Sequence, residues 1–132
     1  MRIAVYVFLT LVSLAHTDTC GGNCPSDSCS TCLCGTDVSY QDATAWCNQF
    51  DGWDQQCCEC IVEYGSLNNS NSVDNVAGID YVGLWQIPNT DWDCASGNPP
   101  CDVNVNLQCA IKLWQQTDTF TSWLSCGICG CC

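Results

Sequence analysis

Two stretches decide how this chain is read: residues 57–66, CCECIVEYGS, and residues 80–94, DYVGLWQIPNTDWDC. In the first, Cys57, Cys60, Ile61 and Tyr64 fall at i, i+3, i+4 and i+7, which is one face of a helix of about three turns. Gly65 stands where such a helix would end. In the second, Tyr81–Ile87 is a short apolar run that fits either a strand or a buried turn. Between them Leu67–Gly78 is polar, rich in Asn and Ser, and reads as a loop or a weak hairpin.

The pattern extends outward in both directions. Ser39 with Asp42 three residues later resembles a capping box. Ala43, Trp46, Cys47 and Phe50 then repeat the helical spacing until Asp51-Gly52 breaks it. Downstream, Asn98-Pro99-Pro100 marks a turn. Asp102 is placed to cap a third helix whose buried face is Leu107, Ala110, Ile111 and Trp114. Phe120, Trp123 and Leu124 suggest a last short helix before the tail CGICGCC. The expected architecture is α+β, mainly helical with a minor β element.

Residues 1–15 read as a signal peptide. Arg2 supplies the positive start, Ile3–Leu14 is apolar but too short to span a bilayer, and Ser13 and Ala15 suit cleavage after Ala15. Residues 16–38 form a Cys-, Ser- and Gly-rich segment without apolar periodicity, and residues 39–132 carry the folded domain. His16 is the sole histidine, so a Ser–His or Cys–His catalytic pair has no support. All 16 cysteines follow the signal peptide. A secreted chain meets an oxidising compartment, so disulfides are expected, with pairing that the sequence leaves open. Thiolate metal sites use spacings like those of CPSDSCSTCLC and CCEC, but oxidation competes with metal outside the cell. The chain also has six Trp and four Tyr, which a metal-thiolate protein has little use for. Neither a metal nor a cofactor is expected.

Lys112 is the only Lys or Arg beyond the signal peptide, against 14 acidic residues. Nucleic-acid binding needs basic contacts to phosphate, so that class is excluded. Anionic membranes and bacterial surfaces repel such a chain at neutral pH. Below about pH 4 most carboxylates are protonated and the repulsion fades. The charge suits a neutral glycan partner in a secreted, extracellular setting, or an acidic digestive compartment.

Order and residues together resemble the lysozyme superfamily, and most of all its small, cysteine-rich members. The resemblance rests on Ser66, Gly83-Leu84-Trp85-Gln86-Ile87, Trp92, Cys94 and Cys109-Ala110, and it covers roughly residues 41–126. It implies a disulfide-rich lysozyme-like fold with a glycan cleft, in which Ser66, Trp85, Gln86 and Trp92 contact sugar. Cleavage of a glycosidic bond needs an acid to protonate the leaving oxygen and a second carboxylate across the cleft. The resemblance puts the acid immediately before Ser66, where this chain has Gly65. The nearest carboxylate, Glu63, is two residues earlier, which turns it about 200° away on an α-helix. Asp80, three residues before Gly83, is the candidate second carboxylate, offset by one residue from the family's aspartate, and Asp74 is a poorer candidate. Pro88 replaces an asparagine common in the family and removes a backbone donor. Asn68-Asn69-Ser70 is an N-glycosylation sequon, and a glycan on Asn68 would crowd the cleft entrance.

Three functions follow from this reading. The first is a lysozyme-like protein that binds peptidoglycan or a chitin-like polymer with weak or lost hydrolysis. The second is an active lysozyme-type hydrolase using a displaced acid such as Glu63. The third is a structural, disulfide-rich wall or matrix protein.

Overall fold

A computed structural model describes residues 32–132. The expected signal peptide, His16 and most of the cysteine-rich N-terminal segment lie outside the described residues. The described chain is α+β: short helix α1 (Ala43–Cys47), helix α2 (Gln55–Ser66), strands β1 (Val73–Val76), β2 (Ile79–Val82) and β3 (Ile87–Pro88), a 3₁₀ helix over Asn89–Ala95, helix α3 (Val103–Gln115) and helix α4 (Cys126–Cys129). The strands form one antiparallel sheet in the order β1-β2-β3.

Local chemistry explains each boundary. The cap of α1 is Asp42, whose carboxylate accepts from the Ala45 amide, and not Ser39. Ser39 is committed elsewhere: its amide donates to Asn69 Oδ1 and its carbonyl accepts from the Ser70 amide. The helix is therefore a turn and a half, and Phe50 lies beyond it, packed on Trp53 and Trp114. Asp54 caps α2. Gly65 does not end that helix. Ser66 continues it, its hydroxyl donating to Leu84 O at 2.8 Å, and the left-handed residue is Leu67, at φ 54°. The buried positions are Cys58, Ile61, Val62 and Ser66, so the inward face is rotated from the expected one and Tyr64 is exposed.

The polar loop is a hairpin. Val76 pairs with Ile79 across Ala77-Gly78, whose φ values of 52° and 82° are those of a tight type I′ turn. The expected strand or buried turn at 81–87 is both: β2 ends at Val82, residues 83–86 turn, and β3 begins at Ile87. Asp102 caps α3 by accepting from the Asn104 and Val105 amides. The expected last helix over 120–124 is a run of turns, and helix appears instead at 126–129. Thr117, Thr119 and Thr121 bond one another through their hydroxyls, an alternative to the helical backbone ladder.

The core packs Trp53, Trp85, Phe120 and Trp123 with Ile61, Leu84, Ile87, Leu107 and Leu113. The aromatic rings form a chain of contacts, with centroids 6.0 Å apart for Trp53–Trp85 and 5.3 Å for Phe120–Trp123. Buried indole N–H groups find carbonyls, as burial of a polar tip requires: Trp123 donates to Trp85 O and Trp53 to Cys47 O. Among the described residues, six disulfides add covalent ties: Cys34–Cys101, Cys47–Cys58, Cys57–Cys131, Cys60–Cys129, Cys94–Cys109 and Cys126–Cys132. Such a disulfide content belongs to an extracellular, oxidising setting.

One buried polar side chain joins α3 to the sheet. Asn106, fully buried, donates from Nδ2 to Val82 O and Pro100 O and accepts from the Trp85 amide at Oδ1. Gly83 makes room for it: a Cβ there would overlap Asn106 Nδ2, and its φ of 82° disfavours any side chain. Replacing Asn106 by Leu strands two carbonyls and an amide. Each unpaired buried group costs about 1–3 kcal/mol, so Asn106→Leu should lose about 3 kcal/mol or more in urea unfolding with the disulfides intact. A loss well under 1 kcal/mol would show that the turn is held by something else.

Candidate functional site

A cavity of about 420 Å³ opens between the end of α2, the hairpin, and the segment 122–128. That is within the size range of small-molecule sites. α2 contributes Tyr64 and Gly65, the hairpin contributes Asp74, Val76 and Tyr81, and the turn after β2 contributes Gln86. The far wall includes Trp123, Leu124, Ser125 and Ile128.

Position 65 aims into this space. A Cβ built on Gly65 would lie 3.5 Å from Gln86 Cγ and 3.9 Å from Ser125 Oγ, ordinary contacts on two cavity walls. The backbone there is helical, so neither sterics nor a left-handed φ calls for glycine. Glu63 lies on a separate surface groove with Gln41, Asp42 and Asn68, as helical rotation requires. The sequon asparagine, Asn68, thus lines that groove and not the cavity. The rest of the sequon is knitted inward: Ser70 is buried and its hydroxyl donates to Ser39 O.

Strand alternation sorts the aspartates. Asp74 pairs with Tyr81 and Asn75 with Asp80, and successive residues face opposite sides of the sheet. Asp74, Val76 and Tyr81 line the cavity; Asp80 is on the other face, where its carboxylate accepts from Asn75 Nδ2 at 2.8 Å. Asp80, expected as the second carboxylate, is thus kept from the cavity by the alternation of the strand. Tyr81 takes the inward position and Asp74 is its cross-strand partner. Among the described residues, Asp74 is the one carboxylate lining the cavity. Burial pushes its carboxyl above the ordinary value.

The expected sugar contacts separate in the same way. Gln86 lines the cavity. Its Nε2 donates to Ser72 O and Gly83 O, so Oε1 is left as the acceptor. Trp85 is fully buried and offers no ring face to a ligand, and Ser66 is spent on Leu84 O. Trp92 packs between the main core and the Val73–Val82 cluster, donating to Ile87 O, and does not reach the cavity. Pro88 sits in β3 opposite Tyr81 and is not among the lining residues. Tyr64, Tyr81, Trp123 and Ser125 were not expected. Counting strand parity back from Gly83 would have favoured Tyr81 over Asp80, but nothing local announces that 122–128 folds onto α2.

Among the described residues, no group of three or more His, Cys, Asp or Glu side chains is arranged to hold a metal ion, and no helix is long and apolar enough to cross a membrane. No protein-family model, curated protein or solved structure matches the chain.

Two measurements check this geometry. Gly65→Ala should raise stability by about 0.5–1 kcal/mol, the usual helical cost of glycine, because its Cβ meets only ordinary van der Waals contacts. The second is the pH dependence of Asp74→Asn. With a folded pKa above 3.8, ionised Asp74 costs the folded state nothing below 3.8, where both states hold the proton, and its full amount above the raised value. Wild type and variant should therefore match at low pH, and the variant should become the more stable as pH rises through that window. A wild type that is the more stable at neutral pH would place a cation or donor against Asp74.

Proposed function

We propose that this is a secreted, lysozyme-like protein whose cavity binds a glycan, either peptidoglycan-derived or chitin-like, and whose hydrolysis of that polymer is weak or lost. One observation carries the reading. The side chain that should protonate the leaving oxygen would project from position 65 into the cavity, and position 65 is glycine. Glycoside hydrolysis by two carboxylates needs them about 5–9.5 Å apart across the bond. Here a single carboxylate, Asp74, lines the wall among the described residues. Binding needs no acid. Tyr64, Tyr81 and Gln86 supply aromatic surface and a hydrogen-bond acceptor.

Supporting the family reading is the order in space: a helix closing at Ser66, a three-stranded sheet, the Gly83–Ile87 turn over the core, and Cys94 bonded to Cys109 of the following helix. A second reading, an active hydrolase with a displaced acid, is favoured by one feature. Asp74 is half-buried with a raised pKa, the property a general acid needs. Glu63, on its separate groove, does not serve that reading.

The test is turnover of labelled peptidoglycan and of a chitin oligomer from acidic to neutral pH. The natural chain should sit near background, and Gly65→Glu should gain activity on the scale of one acid catalyst, about 10²–10⁴-fold. Glu63→Gln should change nothing. Efficient cleavage by the natural chain that Asp74→Asn abolishes would replace the binding reading with the displaced-acid one.

A further inference from the structure

We propose that the cavity selects amino sugars bearing a free, protonated amine over their N-acetylated forms, with Asp74 as the group that receives the ammonium. The inference rests on the glycan-binding reading and narrows it.

The argument is one of hydrogen-bond and charge balance. Asp74 brings a half-buried negative charge to the cavity wall, and no cation among the described residues answers it. Lys112, the one basic side chain described, is engaged with Asp93 at 2.9 Å. Two uncharged groups of the wall, on Gln86 and Ser125, are set to accept, while the hydroxyls of Tyr64, Tyr81 and Ser122 can donate or accept. Gln86 spends Nε2 on two carbonyls and keeps Oε1. Ser125 gives its hydroxyl proton to Ile61 O at 3.3 Å and keeps its oxygen lone pairs. The space that a larger residue 65 would occupy lies beside both. The feature that distinguishes this wall is the charge of Asp74, which a cationic donor answers better than a neutral one. An ammonium offers three N–H donors and a positive charge, whereas an acetamido group offers one donor and an additional acceptor. Apolar Val76, Leu124 and Ile128 around the opening suit the C–H faces of a pyranose ring and lower the local dielectric, which strengthens an ammonium–carboxylate contact. The chain's formal net charge of −12 also draws a cationic oligomer toward the surface.

The experiment is calorimetric and tryptophan-fluorescence titration of the disulfide-intact chain with β-1,4-linked glucosamine tetramer and with its fully N-acetylated counterpart, at a pH where the amine is protonated. The free-amine tetramer should bind about tenfold tighter or better, the scale of a hydrogen bond to a charged group. Asp74→Asn should remove that preference, bringing the free-amine tetramer's affinity to within about twofold of the acetylated tetramer's, the scale of a lost charge-assisted hydrogen bond. Asp80→Asn, which deletes the same charge from the opposite face of the sheet, should leave the preference intact. Equal or tighter binding of the acetylated tetramer overturns the inference while the glycan cleft stands. A preference that survives Asp74→Asn also overturns it, by assigning selectivity to bulk acidity. If neither tetramer binds, the inference and the glycan reading fall together.

Discussion

The carboxamide of Asn106 is the contact on which both walls of the cavity depend. It satisfies two carbonyls from different segments, Val82 and Pro100, and one amide, that of Trp85. Only a side chain with donors and an acceptor can do this, so neither an aspartate nor a leucine substitutes. Fixing the Trp85 amide seats the Trp85 ring in the core and turns its carbonyl toward the Trp123 indole, which donates to it at 2.8 Å. Trp123 belongs to the segment that forms the far wall. The same turn presents Gln86 to the cavity from the near side. Gly83 is the other half of the constraint, since the amide of Asn106 occupies the space where its Cβ would be.

Covalent ties then hold these walls together. α2 carries three cysteines, and they are used in two directions. Cys58 joins α1 through Cys47, while Cys57 and Cys60 reach Cys131 and Cys129 in the tail. The two tail bridges close long loops, of sequence separation 74 and 69, where chain-entropy arguments assign a disulfide its larger effect. They clamp α4 against α2, so Ile128 and Gly65 share one cavity without a large apolar interface between the helices. Walls tied this way have little conformational freedom left to lose, which is what pre-organisation of a cavity consists of.

Much of the scaffold was legible from local pattern. The α3 cap at Asp102, the helix over 57–64 and the minor β element all follow from periodicity and turn chemistry that short-range physics enforces. The site was less legible, for reasons that particular residues show. Asn106 reads as an ordinary polar position on α3, and only tertiary packing makes it the core's polar hub. Trp85 reads equally as platform or core, because an aromatic in an apolar run has no local signal for which side it faces. Asp80 was favoured by distance from Gly83, but in a strand distance matters less than parity. The rotation of Glu63 away from the cavity was readable, because helical angle is fixed by geometry alone. The wall at 122–128 was not, because disulfides to α2 place it there and pairing is not written in spacing.

Asp74 and Gly65 together set the chemistry that the cavity offers. A helical glycine with room for a side chain lowers helix stability and gives no conformational benefit in return, so the backbone supplies no reason for it. What it does supply is space beside an unanswered carboxylate. An aspartate half-buried without a cation costs the folded state as long as it stays ionised, and burial raises its pKa accordingly. That cost disappears if the group takes a proton or if a ligand brings a positive charge. A glutamate at position 65 would bring no positive charge; when ionised it would add a second negative charge facing the first and raise the repulsion. The arrangement without it leaves one carboxylate, beside the acceptors of Gln86 and Ser125 and within an apolar rim, and its cost to the fold is what a positive charge brought into the cavity would relieve.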